Sequence, residues 1–300
     1  MSERNLRIAG VAFLAALAAN EQLDVAGAEA HLRHAIRIAL SPSGRPTYIA
    51  KLAGALLGEL LYERGQLDEA EVLLDEAYAL GAEGGIVDVM LATYRAGAHV
   101  KSARGDTSGA EHRLSEGLGH ARALGLPRLE AALKLALISA ATLSGNEIDK
   151  TLARRVMAHG VQDFGESGDL TAEFREDAQI RLLLLDGQPA ASTSACERAR
   201  VRLDNTDKLR RPRAHLQARI QYARCLAVAG LDEKAQWVLA PALKTFAALG
   251  LSRLLVDEGP VMLRVARDVA AGWETVDVAT AADISDFVHK LEAASLHHTG

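Results

Sequence analysis

His31 and His34 stand three positions apart in a helix-forming stretch, a spacing at which two imidazoles on one helical face could share a metal ion. No third ligand follows at a metal-type spacing, and Arg33 and Arg37 adjoin the pair, so the residues read as a solvated helix face and no metal is expected. His297 and His298 sit in a tail and carry no reading. Cys196 and Cys225 lack zinc-type spacing and are too few for a disulfide framework in 300 residues, which points to a reducing cytoplasm. Serine, histidine and aspartate are abundant, but there is no Gly-x-Ser-x-Gly elbow, no Gly-x-x-x-x-Gly-Lys-Ser/Thr phosphate loop, and no kinase catalytic loop or Asp-Phe-Gly. Nothing assembles a nucleophile, a base and an oxyanion site, so the chain is expected not to be an enzyme and to use no cofactor.

Two charge runs remain. Residues 197–219 hold Arg198, Arg200, Arg202, Lys208, Arg210, Arg211, Arg213 and Arg219 against three acids, a local excess of +5. No aromatics interleave for base stacking and the whole chain is at −5, so a partner-facing or solvated patch is the reading and direct nucleic-acid binding is not expected. Residues 59–76 hold seven acids against Arg64, and the opposite signs of the two runs could support head-to-tail contacts or docking of a partner. Aromatics are only 4% and the apolar mass is Ala, Leu and Val, which suits closely packed helices and argues against a β-sandwich or barrel. No apolar stretch reaches the ~20 residues of a membrane span. Arg4 and Arg7 before the apolar run Ile8 to Ala19 resemble a signal peptide, but a buried Ala-rich helix is the preferred reading, and the location is expected to be cytoplasmic.

The elements that would position any site are repeats. Gly65, Gly105, Gly145, Gly187 and Gly230 end apolar helical runs at separations of 40, 40, 42 and 43. Small residues recur seven positions before the glycine (Gly58, Ala98, Ala223) and five after it (Ala70, Ala110, Ala235), with Leu74, Leu114 and Leu239 next in the stripe. Each glycine can supply a left-handed helix C-cap, and the Asp that follows can cap the next helix. Such hairpins cannot bury their faces alone and stack into a superhelix; the small-residue pattern is the tetratricopeptide one, with longer helices. After Gly145 the repeat degenerates, Lys150 replacing the small residue, and after Gly187 Pro189 opens a helix carrying Ala191, Ala195 and Ala199. The reading is one all-α domain: an N-terminal pair over 1–46, core repeats over 47–250 and irregular C-terminal helices over 251–300, six to seven antiparallel pairs in a right-handed superhelix. First helices are predicted at about 6–19, 47–64, 87–104, 128–144, 169–186 and 212–229.

In such a fold the groove is lined by positions 13, 10, 6 and 3 before the glycine. These yield Glu59 and Tyr62, Arg95 and His99, Ser139 and Thr142, Asp177 and Arg181, and Gln217 and Arg224. Charged, hydroxyl and imidazole groups at groove positions suit a hydrophilic ligand or a polar peptide; the alternative is that they pair among themselves, as Asp177 and Arg181 could at i, i+4. The first helix is apolar on every side, so it is expected to be covered by preceding chain in a longer parent or by a second copy, giving a homodimer. The last helix, about 280–295, has one stripe at Ile284, Phe287, Val288 and Leu291 and reads as a cap.

Three phrases carry a family resemblance. Leu56 to Glu71 (LLGELLYERGQLDEAE), Leu124 to Glu130 (LGLPRLE) and Leu254 to Pro260 (LLVDEGP) together resemble the helical-repeat segment of MalT-type regulators, the large ATP-binding LuxR-like transcription activators, over about residues 20 to 265. A mycobacterial serine/threonine kinase carries a similar region. The resemblance implies a superhelical sensor that receives a small polar effector or a regulatory protein and passes the signal to other modules. The chain departs from the full pattern: it lacks the phosphate loop and stops where a helix-turn-helix would begin. It is therefore expected to be an excised sensor domain, or a stand-alone relative acting as an adaptor between proteins.

Overall fold

The computed structural model describes residues 3–41, 43–81, 86–144, 151, 154–155, 170–273 and 278–296. The described elements are helical: α1 (Glu3–Glu21), α2 (Val25–Ile38), α3 (Tyr48–Glu63), α4 (Leu67–Tyr78), α5 (Val87–Leu91), a π turn (Ala92–Ala96), α6 (Gly97–Ala103), α7 (Thr107–Ala123), α8 (Pro127–Ser144), α9 (Leu170–Asp186), α10 (Pro189–Asn205), α11 (Pro212–Val228), α12 (Asp232–Leu249), α13 (Arg253–Val256), α14 (Pro260–Trp273) and α15 (Val278–Leu296). The predicted first helices correspond to α1, α3, the α5–π–α6 rod, α8, α9 and α11. Gly145, Lys150, Gly165 to Gly168 and the terminal histidines lie outside the described residues.

The hairpins form as the repeat physics requires. Gly65 and Gly105 sit at φ +75° and +82°, where a Cβ would be strained. The chain after them closes Schellman caps, Gln66 N donating to Leu61 O at 2.9 Å and Asp106 N to Lys101 O at 2.9 Å. Capping by the following aspartate occurs in α7, where the Asp106 carboxylate accepts from Gly109 N, and in α2, where Asp24 accepts from Gly27 N, both at 2.9 Å. In α4 and α12 the corresponding Asp68 and Asp232 lie inside the first turn instead, so they complement the helix dipole without capping. At the α3–α4 crossing only glycine fits: a Cβ on Gly58 would lie 2.7 Å from Leu74 Cγ and 3.2 Å from the Ala70 carbonyl. Ala98, Ala223, Ala70, Ala110 and Ala235 are buried at the equivalent crossings.

The stacked hairpins turn so far that the ends meet. Val25, Ala28 and Leu60 from the first two pairs share one apolar cluster with Leu216, Ile220, Leu239, Leu255 and Met262 from the last. Helix α1 touches α11, and α13 touches α3. Arg213 Nη1 donates to Asn20 Oδ1 at 3.1 Å, and its Nη2 donates to Glu63, so the basic and acidic runs are joined within one chain. Most of the remaining charges of both runs are also engaged: Arg198 with Glu176, Arg200 with Glu197 and Asp204, Arg211 with Glu173, Glu59 with Arg95, Asp68 with Arg104, and Asp75 with Lys101 and Arg113. An arginine-rich stretch neutralised in this way offers little free positive charge to a polyanion. In α15, Ile284, Phe287, Val288 and Leu291 are all buried in the same apolar cluster. At the N-terminus, Leu6, Ile8, Val11 and Leu14 of α1 stay exposed. No helix among the described residues is long and apolar enough to cross a membrane.

Candidate functional site

Closure of the superhelix turns its concave side into a central cavity of about 780 Å³, within the size range of ligand pockets. Helices α1, α3, α8, α9 and α11, together with the π turn and α6, contribute side chains to it. Of the groove positions named from the repeat register, Glu59, Tyr62, Arg95, His99, Ser139, Asp177, Arg181 and Gln217 line this one cavity. Arg224 lies just behind the lining, 7% exposed, reaching Thr142 Oγ1 at 3.2 Å.

Many of these groups are paired. Arg95 donates to Glu59 at 2.7 Å from the π turn and lies 6.0 Å over the Phe174 ring. A π turn lets one side chain depart from the helical register, a device common at functional sites. Arg181 donates through Nε to Asp177 Oδ1 at 3.0 Å and through Nη2 to Glu258 Oε1 at 2.5 Å. Asp177 also accepts from Gln221 and lies 3.5 Å from Arg202 Nη1. Burial alone would lift the Asp177 carboxyl, but the Arg181 and Arg202 guanidiniums hold it below the usual range. Burial works against the charge of Arg224 and lowers its pKa, with the like charge of Arg181 adding to the effect. Three guanidiniums therefore face two carboxylates in this half of the cavity. Gln217 stands in the same wall, and Ser139 brings a hydroxyl.

The repeat register did not reveal the segment that follows α12. Leu254, Asp257 and Glu258 also line the cavity. The Tyr62 hydroxyl bridges both Asp257 oxygens, at 2.9 and 2.8 Å, and the Arg253 guanidinium, 2% exposed, lies 5.5 Å over the Tyr62 ring. Burial, then the Asp257 charge, pushes the Tyr62 hydroxyl well above its ordinary pKa. These residues belong to the LLVDEGP phrase, which carried the family resemblance but no groove reading. Glu63 and Arg213, which tie the ends, were likewise missed as a pair: each sits in a charge run, and sequence does not tell which opposite charge 150 residues away it will meet.

His99 is expected to make the fold acid-sensitive. Its imidazole lies 3.7 Å from Asp257 and stacks at 5.8 Å on Tyr62, facing Arg95 in its own rod, Glu59 in α3, Arg181 in α9 and Arg253 in α13. Burial, then the Arg95 and Arg253 charges, pulls its pKa from 6.5 to about 4. The unfolded chain therefore binds this proton first, and stability is lost as pH falls from about 6.5 to 4. The full shift would be worth about 3 kcal/mol, trimmed to about 2 kcal/mol by the 31% exposure of the side chain. Urea unfolding at pH 6.5 and 4.5 is expected to show this loss, and His99→Gln to remove most of it. An equal loss in both proteins would place the acid sensitivity elsewhere.

Comparison with known proteins is consistent with this architecture. The sequence profile described as the MalT-like TPR region matches residues 8–271. The chain is also 42% identical over 251 residues to the serine/threonine-protein kinase PknK of Mycobacterium tuberculosis (strain ATCC 25618 / H37Rv), and equally to PknK of Mycobacterium bovis (strain ATCC BAA-935 / AF2122/97). The matched part covers 82% of this chain and 22% of each kinase, so the chain spans about a fifth of the length of these relatives.

Proposed function

We propose that this chain, which belongs to the MalT-like TPR region family, is the sensing module of a signal-transduction regulator and takes up a polar effector or a segment of a regulatory protein in its central cavity. The observation that carries the reading is the cavity itself: about 780 Å³, walled by side chains from successive repeats that hold arginines, carboxylates, an imidazole and hydroxyls together. Such groups, set among apolar side chains such as Leu56, Leu135 and Phe174, fix the orientation of a ligand that carries polar groups. The parent would be a kinase, as the names of the relatives suggest, or a LuxR-type transcription activator; the matched segment then reports occupancy to modules elsewhere in that protein. A second reading, an adaptor that only joins proteins, is supported by the uncovered face of α1, where Val11 and Leu14 are 68% and 66% exposed. In that reading a second copy or a neighbouring segment of a longer chain would seat on α1.

A ligand present at a hundred times its Kd stabilises the folded state by about 2.7 kcal/mol. A thermal-shift series with polar metabolites and peptides is therefore expected to give at least one saturable rise in Tm, and Arg95→Gln to weaken it. A Tm flat across the series, together with recovery of a partner that binds Val11→Asp protein no longer, would replace the sensor by the adaptor.

A further inference from the structure

The segment from Arg253 to Gly259 departs from the repeat and turns inward, where it makes the contacts expected of a bound peptide. Its two adjacent carboxylates are each held by groups of the repeat wall. Asp257 receives the Tyr62 hydroxyl on both oxygens at 2.9 and 2.8 Å, with His99 at 3.7 Å. Glu258 receives Arg181 at 2.5 Å and lies 3.6 Å from Arg224. The wall complements them in charge. Around Glu258 the repeats supply Arg181, Arg202 and Arg224 against the single carboxylate of Asp177, an excess that the segment's own acid reduces. The segment enters tightly: Gly259 has φ +84°, and a Cβ there would lie 2.5 Å from Leu143 Cδ2. It is also short, since α13 is a single turn between Leu251 and the start of α14 at Pro260. Leu251, Leu255 and Val256 stay buried in the apolar cluster that joins the ends, so what can exchange is the turn carrying Asp257 and Glu258 and not the whole segment.

We propose that Tyr62, His99, Arg181 and Arg224 form a recognition site for paired carboxylates, that Asp257 and Glu258 are its internal occupant, and that an acidic peptide segment with two adjacent carboxylates is the external one. This inference rests on the sensing role proposed above and specifies its ligand. A tethered occupant acts at an effective concentration in the millimolar range, so it sets a threshold: the external peptide must displace it and meets the free site only in the fraction of molecules that are open. Occupancy by the external peptide releases Asp257 and Glu258 from the wall while Leu251, Leu255 and Val256 stay in the core. The start of α14 follows directly, so displacement is passed to that helix, which packs on α12.

The test uses the full chain and two fluorescein-labelled octapeptides of otherwise equal sequence, one with an Asp-Glu pair and one with Lys-Arg in its place. The acidic probe is expected to bind wild type, and hydrogen exchange of the amides at 257–259 is expected to accelerate at least about ten-fold on binding. The double variant Asp257→Asn, Glu258→Gln, which weakens the internal occupant, is expected to bind the acidic probe at least about ten-fold more tightly. The inference is overturned if the acidic probe binds while 257–259 keeps its protection, if the basic probe binds equally well, or if the folded double variant binds no more tightly. Should the double variant fail to fold, the exchange measurement on wild type decides alone. A saturable Tm rise with some other molecule, and none with the acidic probe, defeats this inference and leaves the sensing role standing. No response to any molecule defeats both.

Discussion

Arg213→Met is expected to lower the unfolding free energy by about 3–5 kcal/mol, the range for removing one partner of a buried ion pair. Arg213 and Glu63 have side chains only 8% exposed, and they join α11 to α3 across 150 residues of sequence. Among the described residues Glu63 Oε2 has no hydrogen-bond partner, so the pair is only partly satisfied, and loss of the guanidinium leaves a buried carboxylate whose desolvation is offset by the charge of Arg95 without a direct ion pair. Burial already pushes the Glu63 carboxyl upward against the pull of Arg213. In the variant that opposing pull is gone, so the carboxyl protonates more readily. A group whose folded pKa is raised contributes least at high pH, so the deficit should be larger at pH 7 than at pH 5. Adding Glu63→Leu removes the orphaned charge and should restore most of the loss. Urea unfolding of wild type, single and double variants at the two pH values checks all of this. If the double variant is as unstable as the single one, the clasp between the ends acts through something other than charge, the contact of Arg213 with Asn20 being the first candidate.

This clasp also marks how far the sequence can be read. Periodicity reports what neighbouring hairpins do to one another. Gly58, Ala70 and Leu74 recur because each hairpin meets the same crossing, and the start of every first helix follows from that. The groove positions were legible for the same reason: a fixed offset from the capping glycine puts Glu59, His99, Ser139 and Arg181 on the inner face of their own rods, and they end in one cavity. Whether the inner wall is open or closed depends on the small rotation per hairpin summed over the array, and no single repeat displays that sum. So the meeting of α1 with α11 could not be seen; the charge runs could be named for head-to-tail contacts, but not that they would join within one chain. Arg253, Asp257 and Glu258 were illegible for a different reason. They stand after the last regular hairpin, where there is no repeat to compare them with. Their wording resembled a family, and the resemblance said nothing about where the segment lies.

Arg181→Met is the second large effect expected, again about 3–5 kcal/mol. Arg181 is 7% exposed and bridges Asp177 and Glu258, so its removal leaves Glu258, among the described residues, with Arg224 at 3.6 Å as its cation. Asp177 keeps Gln221 and Arg202 and suffers less. The companion variant Arg181→Met, Glu258→Leu removes one charge of each sign, leaves the local charge balance as in wild type, and should recover more than half of the lost stability. Its value lies in separating two reasons for burying so many charges. If the arginines serve only to hold the segment after α12 in place, the double variant should be stable and should bind acidic peptide no worse than wild type, because the internal competitor is weakened too. If they serve recognition, stability returns while binding does not, because the group that would receive the external carboxylate is gone. The second outcome is expected. A network kept for stability alone would be replaceable by apolar side chains at little cost, whereas here a guanidinium aimed at a carboxylate is what the cavity has to offer a ligand. Thermal unfolding and titration with the acidic octapeptide, run on wild type and both variants, read the two quantities separately.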